Sequence, residues 1–293
     1  MNVLYSTVLS IVTLSLLWDA LPALAEDGDT VPVTDPSDPL EGRRHWAFQP
    51  LRKSALPAVR ATTWPRQNLD RFVLEKLEAT GLSGPDEADR RTLARRTFLQ
   101  LIGLPPQPKE LSQFLADRDP GAFERLVDRL LASPHFGERW GRHWLDLARY
   151  ADSNGLDENF LFREAWRYRN RVLDAVNEDL PYDQFVREQV AGDEMEPDNP
   201  EMLIAVSFLR MGPWEHTGMS NELSDRQNWL DDVTNSVGQA FLSTALRCCR
   251  CHDHKFDPIP TVDYYRFQAV FATTQLAERP VTFLDEENLD HFQ

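Results

Sequence analysis

The chain is poor in cysteine, and the three cysteines that it has lie in one short stretch. Cys248, Cys249 and Cys251 are the only ones in 293 residues. Disulfide bonds between distant segments are therefore excluded, although many small secreted proteins depend on them. The chemistry of these thiols must be local, and the residues beside them must decide it.

Basic residues are also scarce. Lys and Arg number 31 against 47 Asp and Glu, so the formal net charge is -16 at pH 7. A chain this acidic repels a phosphate backbone instead of replacing its counterions, which excludes nucleic acid as the partner. The same charge favours a basic protein partner or cations.

Long hydrophobic runs are missing outside the N-terminus. Residues 3–17 form an apolar stretch that is too short to span a bilayer comfortably. Ala23-Leu24-Ala25 has the pattern of a cleavage site and Glu26 opens a polar segment, although no Lys or Arg precedes the apolar stretch. We predict a signal peptide, export to the periplasm or the cell surface, and no membrane span after cleavage. The alternative is an uncleaved or lipid-modified anchor.

Alternating strand patterns and internal repeats are absent as well. From Asn68 onward apolar residues recur with the 3.6-residue period of helices, and Gly or Pro ends several of these segments. The pattern predicts an all-α, mainly helical fold, with an irregular multi-helix domain and long loops. We expect a signal peptide over residues 1–25, an extended proline-containing lead-in over 26–60, a helical domain over 61–275 and a tail over 276–293.

The most informative feature present is the C-x-x-C-H of Cys248, Cys251 and His252. This spacing is the attachment signature of c-type haem. Residues three and four apart share a face of a helical turn, so both thiols can form thioethers with one porphyrin. The imidazole of His252 can then bind the haem iron as the proximal ligand. We predict one covalent haem c, and the helical period before the motif places it at the C-terminal end of a long helix.

The same motif has other interpretations. Tetrahedral zinc needs four ligands, whereas Cys248, Cys251 and either His252 or His254 supply three. A thioredoxin-like pair would need a βαβ context that the sequence does not indicate. The main alternative is an unloaded motif whose two cysteines oxidise to a local disulfide. Cys249 is a third thiol that could disturb attachment.

A sixth ligand to the iron is expected from a second segment. His143 lies at helical spacing from Trp140, Trp144 and Leu147, which predicts that it faces inward and makes it the candidate distal ligand. A core histidine without a ligand role is the alternative. The further candidates flank Trp214, and they are Met211, His216 and Met219. An open distal side is the remaining possibility, and it would permit small-molecule chemistry at the iron.

A second polar group occupies residues 152–158. Its density of oxygen ligands, beginning with Asp152 and ending with Asp157 and Glu158, is typical of a calcium site or a catalytic carboxylate pair. The spacing does not match an EF-hand. The alternative is a turn that ends a helix, with Gly155 as its cap.

Several long segments resemble one known family. They are ERWGRHWLDLARYADSNG at 138–155, LVDRLLASPH at 126–135, GLPP at 103–106 and CHDHKFDPI at 251–259. Over roughly residues 45–275 the chain is similar to the planctomycete cytochrome-c-associated domain of unknown function. The resemblance implies export and haem without implying a reaction. This chain departs from the family because no second C-x-x-C-H precedes the domain and because Cys249 is present; the resemblance also implies that the tail begins a further C-terminal domain.

Three functions follow as hypotheses. The first is an exported haem-binding domain that transfers single electrons to a redox partner protein or cytochrome module. The second is an exported enzyme, with haem-dependent oxidative chemistry or hydrolysis at the Asp152 loop. The third is a haem-free structural scaffold.

Overall fold

The computed structural model describes residues 39–155, 160–213, 222–285 and 287. Within these ranges the chain is mainly helical, which confirms the predicted fold class. Across the same ranges the extended pairing consists of one isolated antiparallel bridge, between Ser153 and Leu161. The described residues divide into two compact units: residues 39–51 with 255–259, and the described residues between 52 and 254 with those from 260 to 287.

The smaller unit is described from Pro39 onward. It contains the short helix α1 (Pro39–Gly42) and a 3₁₀ turn over Trp46–Phe48. A Cβ atom at Gly42 would lie 2.5 Å from the Cβ of Pro258, so this position requires a glycine. The segment 255–259 therefore approaches α1 closely at Gly42.

The larger unit carries the remaining helices. They are α2 (Asn68–Ala79), α3 (Arg90–Leu101), α4 (Pro108–Ala116), α5 (Ala122–Leu131), α6 (Pro134–Leu147), α7 (Ala165–Asn177), α8 (Tyr182–Met195), α9 (Pro200–Ala205), α10 (Glu222–Leu242) and α11 (Thr261–Val270), with 3₁₀ segments at Val206–Arg210 and Arg247–Arg250.

Local sequence explains where several helices begin. The carboxylate of Asp89 accepts hydrogen bonds from the backbone of Arg91 and Thr92 and so caps α3. Ser133 caps α6 in the same way, and Pro134 follows at the first helical position, where its missing N–H costs nothing. These starts are fixed by neighbours in the chain.

Two hydrophobic clusters stabilise the larger unit. The main one gathers α7, α8, α9 and α10 around Tyr168, Val172, Phe208 and Val233, all at most 1% exposed. The second lies between α3, α4 and α5 around Phe98 and Leu126. Helix α6 approaches α7 closely, because a Cβ at Gly137 would lie 2.6 Å from the carbonyl oxygen of Leu173.

The C-terminal segment also packs on this unit. Leu276, Val281 and Leu284 contact the main cluster. The guanidinium of Arg167 forms a buried ion pair with Glu287 at 2.7 Å and donates to the carbonyl of Thr282 at 2.8 Å. The described part of residues 276–293 is therefore anchored to α7.

The sequence predicts that no segment spans a membrane once the signal peptide has been cleaved. No helix in the described ranges is long and apolar enough to cross a bilayer. Residues 1–38, which include the predicted signal peptide, lie outside those ranges, so export stays a prediction.

The end of α10 corrects one prediction. The helix stops at Leu242, so Cys248 does not lie at the end of a long helix. Ser243 adopts a positive φ of 53°, and the backbone N–H of Thr244 bonds back to the carbonyl of Gly238 at 3.0 Å. This left-handed closure satisfies the free carbonyls of the last turn and redirects the chain. The motif consequently lies on a separate 3₁₀ turn.

Candidate functional site

Three predicted site residues lie on or directly after the turn that carries the motif. The backbone N–H groups of Cys251 and His252 both point to the carbonyl of Cys248, at 3.3 and 3.4 Å. In a 3₁₀ turn the side chains at i and i+3 eclipse, so Cys248 and Cys251 lie on one side of the turn, and His252 follows directly. Cys248, Cys251 and His252 are all exposed to solvent. The geometry therefore presents two thiols and an imidazole from one short segment.

The third cysteine is separated from the other two by burial. The side chain of Cys249 has no exposed surface, and its backbone N–H bonds to Leu246 at 2.9 Å. It points into the larger unit while Cys248 and Cys251 face solvent. Burial therefore separates the Cys249 thiol from the two thiols that are open to solvent.

The ring of His252 is oriented by its neighbour. Its Nδ1 lies 2.7 Å from the backbone oxygen of Asp253. A carbonyl oxygen only accepts, so this hydrogen bond requires the proton on Nδ1 and leaves the lone pair of Nε2 available. His254, in contrast, is buried at 8% exposure. Among the two histidines of this segment, His252 is the one presented outward.

A buried carboxylate lies under the turn. Asp231 of α10 is 7% exposed, and it accepts a short hydrogen bond from the hydroxyl of Tyr264 and another from Asn235 at 3.2 Å. Its Oδ2 also lies 3.4 Å from Nη1 of Arg250 and 4.0 Å from Nε of Arg247. Asp231 thus links α10, α11 and two arginines of the cysteine-containing turn, Arg247 and Arg250.

Helix α11 holds the turn from the other side. The hydroxyl of Tyr265 donates to the carbonyl of Arg250 at 2.9 Å. The carboxylate of Asp253 accepts from the backbone N–H of Thr261 at 2.7 Å, at the start of α11. Sequence reasoning missed this scaffold. The available signal was the set of polar residues in the middle of α10, Asp231, Asp232, Thr234, Asn235 and Ser236.

A second ion pair lies one residue further along α10. Arg149 and Asp232 approach to 2.9 Å, and both are largely buried. Burial lowers the pKa of the Arg149 guanidinium and raises the pKa of the Asp232 carboxyl, while their mutual attraction opposes both shifts. Arg149 also has a positive φ of 59°, a conformation that costs a residue with a Cβ about 1–2 kcal/mol. The ion pair with Asp232 anchors the side chain of this strained residue.

Arg149 also corrects the alternative prediction that Gly155 caps the end of a helix. Helix α6 ends at Leu147, and Arg149 makes the left-handed turn that closes it, with the N–H of Tyr150 bonded to Leu145 at 2.9 Å. Gly155 has a positive φ of 65°, but it lies in the loop beyond and does not cap the helix.

The Asp152 loop is a narrow hairpin in its described part. The N–H of Phe162 donates to the carbonyl of Asp152 at 2.8 Å, and the hydroxyl of Tyr150 donates to its carboxylate at 2.7 Å. Burial and then this hydrogen bond raise the pKa of Tyr150 to about 12. Asp157 and Glu158 lie outside the described residues, so a calcium or carboxylate site here stays a prediction.

His143 does not face inward as predicted. Its side chain is exposed and lies beside the ring of Trp140, with 5.6 Å between the ring centroids. The face of α6 that packs on α7 is instead the one that carries Gly137, Gly141 and Trp144, because the small residues allow close approach. The periodic pattern placed His143 with the wrong face. Its role as a distal ligand stays a prediction.

Of the other candidates for a sixth ligand, one lies within the described residues and two lie outside them. Met211 is 7% exposed and belongs to the main hydrophobic cluster. His216 and Met219 lie outside the described residues, as does Trp214. Within the described ranges, no group of three or more His, Cys, Asp or Glu side chains converges so as to hold a metal ion. Tetrahedral zinc would require such a group.

Tyr264 yields a prediction for alkaline pH. Burial, and then its hydrogen bond to Asp231, raise the pKa of Tyr264 above its ordinary value of 10.0. The folded protein keeps this proton where the unfolded chain has lost it, so the free energy of unfolding falls as the pH rises above about 10. Tyr264→Phe should make that decline shallower by about 1.4 kcal/mol per pH unit. Urea titrations across alkaline pH measure both slopes, and equal slopes would contradict the assignment.

One comparison with known proteins gives a match. A family model described as PSCyt2, a protein of unknown function (DUF1549), matches residues 68–276. No curated protein and no solved structure matches the chain. The matched range includes α10, the turn of Cys248 and α11, so the scaffold around Asp231 lies within it.

Proposed function

The chain belongs to the DUF1549 family of proteins of unknown function, and we propose that it is an exported haem c domain that transfers single electrons. Cys248 and Cys251 would hold the haem covalently, and His252 would bind its iron. The observation that carries the proposal is the single turn that presents these three side chains to solvent.

The donor set fits the group in two respects. Thioether formation requires two accessible thiols on one short segment, and Cys248 and Cys251 are both exposed while Cys249 is buried. Iron ligation requires a neutral imidazole with one nitrogen free, and the Nδ1 contact of His252 to Asp253 leaves Nε2 for that purpose. Such a hydrogen bond also fixes the ring and increases its basicity as a ligand.

Bound haem supplies a one-electron couple whose potential depends on its axial ligands and surroundings. The protein's contribution is to keep the turn rigid. Arg250 is held by Asp231 through its side chain and by Tyr265 through its carbonyl. A site fixed on both sides reorganises little when its charge changes, which favours electron transfer over ligand exchange.

The cellular setting is part of the proposal. The resemblance to the planctomycete cytochrome-c-associated domain, together with the predicted signal peptide, favours action outside the cytoplasm. The net charge of -16 favours a basic redox partner or cytochrome module, because opposite charges steer two proteins together.

The test is expression of the full chain together with a cytochrome c maturation system. We expect a Soret band in the purified protein and haem that remains on the chain after denaturation, because thioether bonds survive unfolding and axial bonds do not. Absorption spectra before and after denaturation, with intact mass, measure this. A chain without covalent haem would contradict the proposal. It would favour a haem-free structural role, or a local disulfide between Cys248 and Cys251.

A further inference from the structure

Helix α11 has an unusual distribution of side chains. Its buried face carries the polar residues Tyr264 and Gln268, which reach the network around Asp231. The opposite face is exposed; it carries the apolar side chains of Val262, Tyr265, Ala269 and Val270 together with the charged Arg266. Phe267 of the same helix and its C-cap residue Phe271 pack on the main hydrophobic cluster, so apolar side chains lie on both the buried and the exposed sides of α11. We call this exposed face the α11 stripe.

The N-terminal half of the stripe adjoins the turn of Cys248. Tyr265 bonds through its hydroxyl to the carbonyl of Arg250, and Thr261 bonds through its N–H to Asp253. These two contacts bracket Cys251 and His252 in the chain. Val270, at the far end, lies eight residues after Val262, a distance of about 12 Å along the helix axis.

We infer that Val262 and Tyr265 form the apolar wall against which one face of the haem packs, an inference that rests on the proposed function. A haem tethered at the turn of Cys248 presents a wide apolar face that must be removed from water. Val262, at 52% exposure, and Tyr265, at 46%, provide exposed aliphatic and aromatic surface beside the tether. Aromatic rings also stack favourably on flat conjugated groups.

The stripe contains its own control. Val270 is 66% exposed, comparable to Val262, and lies on the same helix and face. It differs from Val262 in its distance from the turn and in being the last residue of the helix. Val262→Gln and Val270→Gln make the same change without adding a charge, so the helix dipole does not enter the comparison.

The experiment uses the holoprotein made with the maturation system. Val262→Gln should admit water to the haem face, lower the reduction potential and weaken the circular dichroism of the Soret band. Val270→Gln should match the wild type in both measurements. Tyr265→Phe keeps the ring and should retain most of the Soret dichroism, whereas Tyr265→Ala should lose it.

The outcomes separate the two proposals. A wild-type chain without covalent haem overturns both the proposed function and the wall. Haem that is present, but is affected equally or not at all by the two valine variants, leaves the proposed function intact and overturns the wall. A wild-type dimer that both valine variants dissociate would make the stripe a contact between copies of the chain, which also overturns it. Thermal unfolding of each apoprotein verifies that the variants fold.

Discussion

Replacing both Cys248 and Cys251 by serine is expected to abolish the haem that stays on the denatured chain. A hydroxyl does not form the thioether that a thiol forms, so no covalent bond remains. Each single variant should carry less haem, held by one bond at most. Absorption of the denatured protein and its intact mass measure the loss.

The matched control is Cys249→Ala. Because Cys249 is fully buried and faces away from the exposed pair, we expect the haem content and spectrum to remain those of the wild type. Removal of the buried sulfur should cost on the order of 1 kcal/mol of stability, through lost packing. Loss of haem in Cys249→Ala alone would show that the motif is assigned wrongly.

Asp231→Ala is expected to lower the free energy of unfolding more than any other substitution proposed for this protein. Its carboxylate accepts from Tyr264 and Asn235 and faces the guanidinium of Arg250, so its removal leaves a buried hydroxyl without an acceptor. We expect the free energy of unfolding to fall by roughly 2–4 kcal/mol. Urea denaturation of the wild type and the variant under identical conditions measures the difference.

Asp263→Ala is the control for Asp231→Ala. Asp263 lies on the neighbouring helix and pairs with Arg266 at 2.9 Å, but both side chains are well exposed. Exposed pairs contribute little, so the expected loss is below about 1 kcal/mol. Similar losses in the two variants would mean that burial of Asp231 does not set its contribution. In a folded Asp231→Ala holoprotein the haem absorption bands should also be broader than in the wild type, because the side chain of Arg250 loses its carboxylate partner.

The sequence alone determined the fold class and the elements that depend on local contacts. The 3.6-residue period predicts helices, and Asp89 and Ser133 cap two of them, because these interactions join residues two to four positions apart. The spacing of Cys248, Cys251 and His252 is local in the same sense. For this reason their place on a single turn was predictable before their surroundings were known.

Only the tertiary structure decided what surrounds that turn. The exposed position of His143 follows from the close approach of α6 to α7 at Gly137, which a periodic pattern within one helix does not reveal. The hydrogen bond between Asp231 and Tyr264 joins residues 33 positions apart, and the wall proposed on α11 depends on which face that bond buries. Contacts of this length form when whole helices pack. The sequence therefore supplied the groups that could bind haem, and the packing of α10 and α11 decided how they are held and what lies beside them.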